Sequence, residues 1–187
     1  MEIILASASP RRRQLLTQLG LTFTVQAAEI DETMAPGDPV GEVGKLSARK
    51  AAAIAAPADT LVIAADTIVC MNEQILGKPK SETEALAMLR SLSGRPHRVL
   101  TGVTVRRGEQ VRTAVEQTAV RFRACSDAEL RAYVATGEPM DKAGGYGIQG
   151  LAALFVAGIE GDYYNVMGLP LCRLGQLLAE FGITVLG

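Results

Sequence analysis

A group of hydroxyl and guanidinium side chains lies near the start of the chain, in the segment SASPRRR at residues 7–13. The segment falls between a predicted strand and a predicted helix, with Ser9 as N-cap and Pro10 in the first helical turn. The first turn of a helix leaves backbone N–H groups unpaired and carries partial positive charge, which favours anions. The segment therefore predicts a phosphate site, in which at most two of the three arginines face one ligand. A capped surface helix with solvated arginines is the alternative.

Carboxylates at two places suit a divalent cation or a catalytic base. Asp66 follows the apolar run 61–65, which we expect to be a central strand, and ligands of α/β sheets collect outside the carboxyl ends of strands. Glu29, Asp31 and Glu32 lie in an acidic turn, and Mg²⁺ takes one or two protein carboxylates together with phosphate oxygens and water. A turn aspartate and a solvated acidic loop are the alternatives.

Two lysines and a glycine-rich loop offer further contacts to an anionic ligand. Lys78 stands between a glycine and a proline, which gives a stiffly mounted charge, and Lys50 lies near the end of a predicted helix. The loop 144–150 lets backbone approach a ligand closely. Its Gln149 amide donates and accepts at once, as pairing with the edge of a nucleobase requires. Ordinary surface lysines and a flexible loop are the alternatives.

Strands and helices alternate along the chain, which predicts an α/β scaffold with mixed α+β character. Strands are predicted at 3–6, 23–25, 99–106, 110–123 and 151–159, and a central strand over 61–65, with Asp66 at its end, continues as strand over 67–71. Helices are predicted from Pro10 to Gly20, over about 39–56, after the capping boxes at Ser81 and Ser126, and over 169–181. A long hairpin through 107–109 argues against a purely parallel sheet. The segment 161–170 is interpreted as mainly structural. With no linker, residues 1–187 form one predicted domain.

Composition limits the classes of function. The 19 basic and 20 acidic side chains among 187 residues argue against a general electrostatic grip on nucleic acid. No apolar run approaches the roughly 20 residues of a membrane span, and the first residues lack the charge order of a secretory signal. Three widely spaced cysteines favour a cytoplasmic protein. The chain has a single histidine, His97, which excludes multi-histidine metal sites and which we expect at a strand surface. The absence of the motif GxxxxGK[ST] excludes a P-loop enzyme.

Eight short motifs occur in one order along the chain: SASPRRRQLL, EIDE, ARKAAA, AADTIV, GKP, LTGV, EPMDKAGGYGIQG and YYNVMGLPL. Together they resemble the Maf family of nucleoside triphosphate pyrophosphatases over essentially the whole chain. The resemblance implies a Maf/ITPase-like fold, with a mixed central sheet and two lobes around a deep cleft. It also implies a cytoplasmic homodimeric enzyme that hydrolyses a nucleoside triphosphate to the monophosphate and pyrophosphate, with Mg²⁺ or Mn²⁺ as the divalent cation.

The same resemblance assigns roles to individual residues. Asp66 would be the catalytic base that activates water, and Glu32 would join Asp66 at the metal. Substrate binding would fall to Ser7, Arg11, Arg12, Lys50, Thr67, Lys78 and Gln149.

The motifs also favour one branch of the family. Arg11, Thr67 and Gln149 match the branch that resembles enzymes acting on dTTP and UTP, with modified pyrimidine nucleotides as further candidates. The other branch carries SPWR, SDQ and a loop glutamate and prefers 7-methyl-GTP. A methylated purine carries positive charge and favours aromatic or acidic partners, so Arg11 would repel it. The alternatives are a non-catalytic nucleotide-binding regulator of cell division and the same chemistry on a modified purine such as 7-methyl-GTP.

Overall fold

The structure, a computed structural model, describes residues 2–35 and 37–186 and contains a seven-stranded mixed sheet. Its strands are β1 (Ile3–Leu5), β2 (Thr24–Val25), β3 (Leu61–Met71), β4 (Gln74–Leu76), β5 (Pro96–Arg107), β6 (Gln110–Phe122) and β7 (Val156–Glu160). Its α-helices are α1 (Pro10–Gln18), α2 (Pro39–Ala52), α3 (Glu82–Leu92), α4 (Asp127–Ala135), α5 (Tyr163–Met167) and α6 (Leu171–Glu180).

The sheet order is β2-β1-β3-β5-β6-β7, with β4 paired to β3. Strands β1, β2 and β3 are parallel, whereas β4, β5, β6 and β7 pair antiparallel. The predicted α/β class, the central position of β3 and the hairpin between β5 and β6 are therefore confirmed. The assignment of residues 1–187 to one domain of two lobes stays a prediction, and Met1, Pro36 and Gly187 lie outside the described residues.

Successive residues of a strand point to opposite faces of the sheet. Helix α2 packs on one of these two faces. On that face Val62 and Ala64 of β3 share a buried apolar cluster with Ala51 of the helix, and Ile68 shares another with Val43. On the other face α1 and α6 cover one end of the sheet, and α3 and α4 cover the other end. Each fully buried leucine in these clusters contributes about 1.5–3 kcal/mol relative to an exposed one.

Most predicted helix starts are confirmed by their caps. The Ser9 hydroxyl accepts from the Arg12 backbone N–H, and Ser126 forms the complete capping box with Glu129. The box at Ser81 is only half formed, because the Glu84 carboxylate accepts from the Lys80 backbone N–H instead. Helix α2 ends at Ala52, four residues before the predicted end.

Two local predictions are wrong. Residues 151–154 form a 3₁₀ turn, and the strand begins only at Val156. Ala152 and Phe155 are buried while Leu151 and Leu154 are exposed, and this three-residue spacing is that of a 3₁₀ turn rather than of a strand. The strand surface predicted for His97 is also wrong, since the ring is buried against Phe122. Among the described residues, no helix has the length and apolar character needed to cross a bilayer.

Candidate active site

A cavity of about 590 Å³ opens at a gap along the edge of β3. Strand β1 pairs with Leu61–Ile63, and β4 pairs with Val69–Met71 on the same side of β3. Asp66 and Thr67 lie between these two pairings and line the cavity. The expectation that Asp66 ends its strand is wrong, because β5 pairs with β3 continuously through this position. Asp66 reaches the cavity through the gap at the sheet edge.

All nine residues that the sequence assigned to the site line this cavity: Ser7, Arg11, Arg12, Glu32, Lys50, Asp66, Thr67, Lys78 and Gln149. Arg13 does not line it, in agreement with the expectation that at most two of the consecutive arginines face one ligand. Asp31 does not line it either, and its carboxylate accepts hydrogen bonds from Thr33. The individual roles of the nine residues stay predictions.

Lys50 joins the two carboxylates of the cavity. Its Nζ lies 2.5 Å from Asp66 Oδ1 and 2.7 Å from Glu32 Oε1. Lys50 and Asp66 are both buried, whereas Glu32 is half exposed. Burial acts to raise the pKa of Glu32, but the hydrogen bond and charge of Lys50, with smaller contributions from Lys78 and Arg12, outweigh burial and lower that pKa. Glu32 is therefore ionised at neutral pH.

The Arg12 side chain is fixed by three segments of the chain. Its Nε donates to the Gly168 carbonyl oxygen at 2.8 Å, its Nη2 donates to Thr67 Oγ1 at 3.0 Å, and its Nη1 donates to Ser7 Oγ at 3.3 Å. Burial lowers the pKa of Arg12, and the charge of Asp66 acts against this shift. A guanidinium carries five N–H donors, so three protein contacts leave donors for a phosphate group.

Basic side chains outnumber acidic ones around the cavity. Five cationic side chains line it, Arg11, Arg12, Lys50, Lys78 and Lys142, against three carboxylates, Glu32, Asp66 and Asp141. Among the residues that the structure describes, Arg11 and Lys78 have no ion-pair partner. Such an excess of positive charge suits a polyanion such as a triphosphate.

Gly102 allows α2 to approach the sheet closely enough to bring Lys50 to Asp66. Gly102 of β5 lies opposite Asp66 of β3 in the sheet. A Cβ at this position would overlap the backbone carbonyl of Val43 in α2. Lys50 follows Val43 by about two helical turns. The prediction of site residues missed Gly102, although a glycine inside a strand marks a close backbone approach.

The glycine-rich loop forms one wall of the cavity through Tyr146, Gly147 and Gln149. Gly144 has a φ of +69°, and a Cβ there would lie 2.9 Å from Val69 of β3. Its backbone N–H donates to the Gly77 carbonyl, next to Lys78, at 3.0 Å. The loop and the Lys78 turn are therefore held together on the same side of the cavity.

The segment 161–170, interpreted from the sequence as mainly structural, also reaches the site. Asp162 caps α5 by accepting from the Tyr164 backbone N–H, and Gly168, whose φ is +112°, follows the last helical residue as the C-cap. Gly168 supplies the carbonyl oxygen that Arg12 contacts, and it lines the cavity with Val166 and Met167. A glycine at a helix end was the available sequence signal.

Two carboxylates in the cavity fit a divalent cation. In the described part of the chain, no group of three or more His, Cys, Asp or Glu side chains is placed to hold a metal ion. Mg²⁺ requires only one or two protein carboxylates when phosphate oxygens and water complete its octahedron. Glu32 and Asp66, bridged by one ammonium group, fit a cation that binds together with a phosphorylated ligand.

Comparison with known proteins shows similarity over nearly the whole chain. The family model described as Maf-like protein matches residues 2–181. The chain is 52% identical over 189 residues to a dTTP/UTP pyrophosphatase of Pelotomaculum thermopropionicum, and the match covers 99% of each protein. It is 52% identical over 190 residues to one of Moorella thermoacetica, covering 100% of this chain and 98% of that protein. It is 53% identical over 183 residues to one of a Geobacillus species, covering 97% and 98%.

Proposed function

The chain belongs to the Maf family. We propose that it hydrolyses dTTP and UTP to the nucleoside monophosphate and pyrophosphate. The observation that carries the proposal is the convergence of nine site residues from separate segments of the chain on one cavity. Relatives that are about half identical over the full chain are named dTTP/UTP pyrophosphatases, which supports the same substrates. The enzyme is then a hydrolase acting on an acid anhydride.

The phosphate groups bind where the cationic side chains are unpaired. Arg11 and Lys78, which both line the cavity, contribute charge, while Arg12 offers its remaining N–H donors in a fixed orientation. The hydroxyl of Ser7 lies beside Arg12. These groups hold the triphosphate in place and stabilise the charge that develops on the departing pyrophosphate.

Asp66 is the general base of the proposed reaction. Its buried carboxylate lies on the cavity wall, where it accepts a proton from the water that attacks the α-phosphorus. Glu32 and Asp66 would hold Mg²⁺ or Mn²⁺, and such a cation neutralises phosphate charge when bound. The proton passes to the Asp66 carboxylate as the bond between the α-phosphorus and the bridging oxygen breaks, and pyrophosphate leaves.

The glycine-rich loop recognises the base. The Gln149 amide on the cavity wall both donates and accepts, which matches the carbonyl–imide–carbonyl edge of thymine and uracil. Arg11 in the same cavity disfavours the positively charged ring of 7-methyl-GTP. The homodimer and the cytoplasmic location implied by the family resemblance remain predictions.

A panel of nucleoside triphosphates with Mg²⁺ tests the proposed function, with release of pyrophosphate as the measurement. We expect dTTP and UTP to be hydrolysed fastest. Because a positioned base contributes about 10²–10⁴-fold to the rate, Asp66→Asn should lose that factor while still binding dTTP. Asp141→Asn, which alters a cavity carboxylate paired with Lys142, is the matched control and should lose far less.

Each alternative predicts its own outcome in this panel. Nucleotide binding without release of pyrophosphate would favour the non-catalytic regulator. Preference for 7-methyl-GTP over dTTP would favour the other branch of the family. Near-normal turnover by Asp66→Asn would contradict the assignment of the base.

A further inference from the structure

The ammonium group of Lys50 occupies the position between the two carboxylates that fit a divalent cation. Its Nζ contacts Asp66 Oδ1 of β3 at 2.5 Å and Glu32 Oε1 of the acidic turn at 2.7 Å. These two carboxylates come from segments that are far apart in the sequence, and one cation already holds them together in this structure. A cation that binds both carboxylates must therefore compete with Lys50.

The position of Lys50 follows from the packing of its helix. Helix α2 lies close to β5 at Gly102, the residue opposite Asp66 in the sheet. Lys50 itself is only 7% exposed, so its side chain has few alternatives to the two carboxylates. Its flexible stem nevertheless allows the ammonium to move by a few ångströms along the cavity, and phosphate oxygens are the only strongly anionic partners that a substrate would add.

We propose that Lys50 closes the carboxylate pair to a divalent cation until a triphosphate enters the cavity. The inference rests on the proposed function, because the triphosphate provides the phosphate oxygens that draw the ammonium away. Without a nucleotide, the Lys50 charge repels a second cation at nearly the same position. With a nucleotide, Lys50 contacts phosphate, and both carboxylates become available.

The exchange also controls the base. In the structure Asp66 Oδ1 accepts a hydrogen bond from Lys50, so this oxygen is engaged for as long as the ammonium stays between the two carboxylates. Transfer of the ammonium to phosphate frees the oxygen to accept a proton from water. Cation and nucleotide then bind cooperatively, and by linkage each increases the affinity of the protein for the other.

Mn²⁺ binding to the nucleotide-free protein, measured from the electron paramagnetic resonance signal of free Mn²⁺, tests this inference without any turnover. We expect Lys50→Met to bind Mn²⁺ about tenfold or more tightly than the wild type, because the competing charge is gone and both carboxylates remain. Lys50→Gln keeps a hydrogen-bond donor beside Asp66 without the charge. It should show the same gain, and it replaces the methionine variant if that variant fails to fold.

Lys78→Met is the matched control. It removes one positive charge from the same cavity, but Lys78 forms no ion pair with Glu32 or Asp66 among the described residues. Its gain in Mn²⁺ affinity should be clearly smaller than that of Lys50→Met. Equal gains would mean that Mn²⁺ affinity depends only on the total positive charge of the cavity, and this would overturn the specific role of Lys50.

The inference and the proposed function fail in different ways. Equal Mn²⁺ affinity in the wild type and in both Lys50 variants would overturn the inference, even if the wild type hydrolyses dTTP. A Lys50-dependent Mn²⁺ affinity in a protein that hydrolyses no nucleoside triphosphate would support the inference and contradict the proposed function alone.

Discussion

His97 and Tyr146 form a buried pair behind the candidate active site. His97 Nε2 lies 2.8 Å from Tyr146 Oη, and both rings contact Phe122 edge to face. Tyr146 belongs to the glycine-rich loop and lines the cavity. The pair therefore attaches this loop to β5. Burial lowers the pKa of His97 to about 4.

This pair predicts a loss of stability in mild acid. The ordinary His97 pKa of 6.5 falls to about 4 in the folded protein, so between these values the unfolded chain takes up a proton that the folded protein excludes. The contribution of neutral His97 to the free energy of unfolding is complete above about pH 6.5. It declines as the pH falls to 4, by on the order of 3 kcal/mol.

Urea unfolding of the wild type and of His97→Gln at pH 7, 5.5 and 4 measures this effect. The variant keeps a polar side chain opposite Tyr146 Oη but does not titrate. It should be less stable than the wild type at pH 7, and the difference should shrink steadily towards pH 4, while the acid residues common to both proteins cancel. A difference that does not change with pH would show that His97 is not buried in its neutral form.

Residue types were the most predictable part of the site, and their contacts were the least. A hydroxyl or an arginine at a strand–helix junction identifies itself by its chemistry, so Ser7 and Arg11 were predicted. Asp66 was predicted as the acidic residue that follows an apolar run. That Arg12 donates to Gly168, and that Lys50 bridges Glu32 and Asp66, depends on residues more than ten positions away. No local pattern contains this information, and the burial of His97 was missed for the same reason.

Helix α2 and strand β5 determine how close Lys50 lies to Asp66. The contact between them passes through Gly102, where a side chain would overlap the Val43 carbonyl. The overlapping atom belongs to the backbone of a helix, so the helix as a whole must shift. We therefore regard this crossing as the element that sets the geometry of the carboxylate pair.

Gly102→Ala should displace α2 from the sheet and separate Lys50 from Asp66. The forced overlap should cost about 1–3 kcal/mol of unfolding free energy, and dTTP turnover should fall even where the variant remains folded. Gly175→Ala is the matched control, because Gly175 lies in α6 with no atom near a Cβ added there. That substitution should leave stability unchanged or raise it by up to about 1 kcal/mol. Equal behaviour of the two variants in thermal unfolding and turnover would contradict the role of this crossing.

Elements with strong local patterns were predicted well. Apolar spacing and caps located α1, α3 and α4, and alternation located the hairpin of β5 and β6. The segment at 151–154 failed because its apolar residues suit a strand as well as a 3₁₀ turn, and only its packing against the rest of the chain decides between them.

The whole molecule places its site at an interruption in the sheet. Strands β1 and β4 are each three residues long and pair with opposite ends of β3. The interval between them exposes Asp66 and Thr67 together, although adjacent strand residues point to opposite faces. The α/β class and the mixed sheet were predictable from element order. The gap was not, because it depends on the register between strands that are distant in sequence.

Charge is distributed unevenly over the molecule. The chain as a whole carries a formal net charge of −1, yet cationic side chains outnumber carboxylates around the cavity. Helices and loops from separate parts of the chain concentrate this charge locally, which gives a site that suits a polyanion on a molecule whose charges otherwise nearly balance. In the proposed reaction, Asp66 directs water to the α-phosphorus of the nucleotide held in this site.

Hydrolysis of dTTP in water enriched in ¹⁸O, followed by mass spectrometry of the products, locates the phosphorus atom that water attacks. We predict that the heavy oxygen appears in dTMP and that pyrophosphate is unlabelled, because Asp66 directs water to the α-phosphorus. Label in pyrophosphate, or release of orthophosphate and dTDP, would contradict this account of the site.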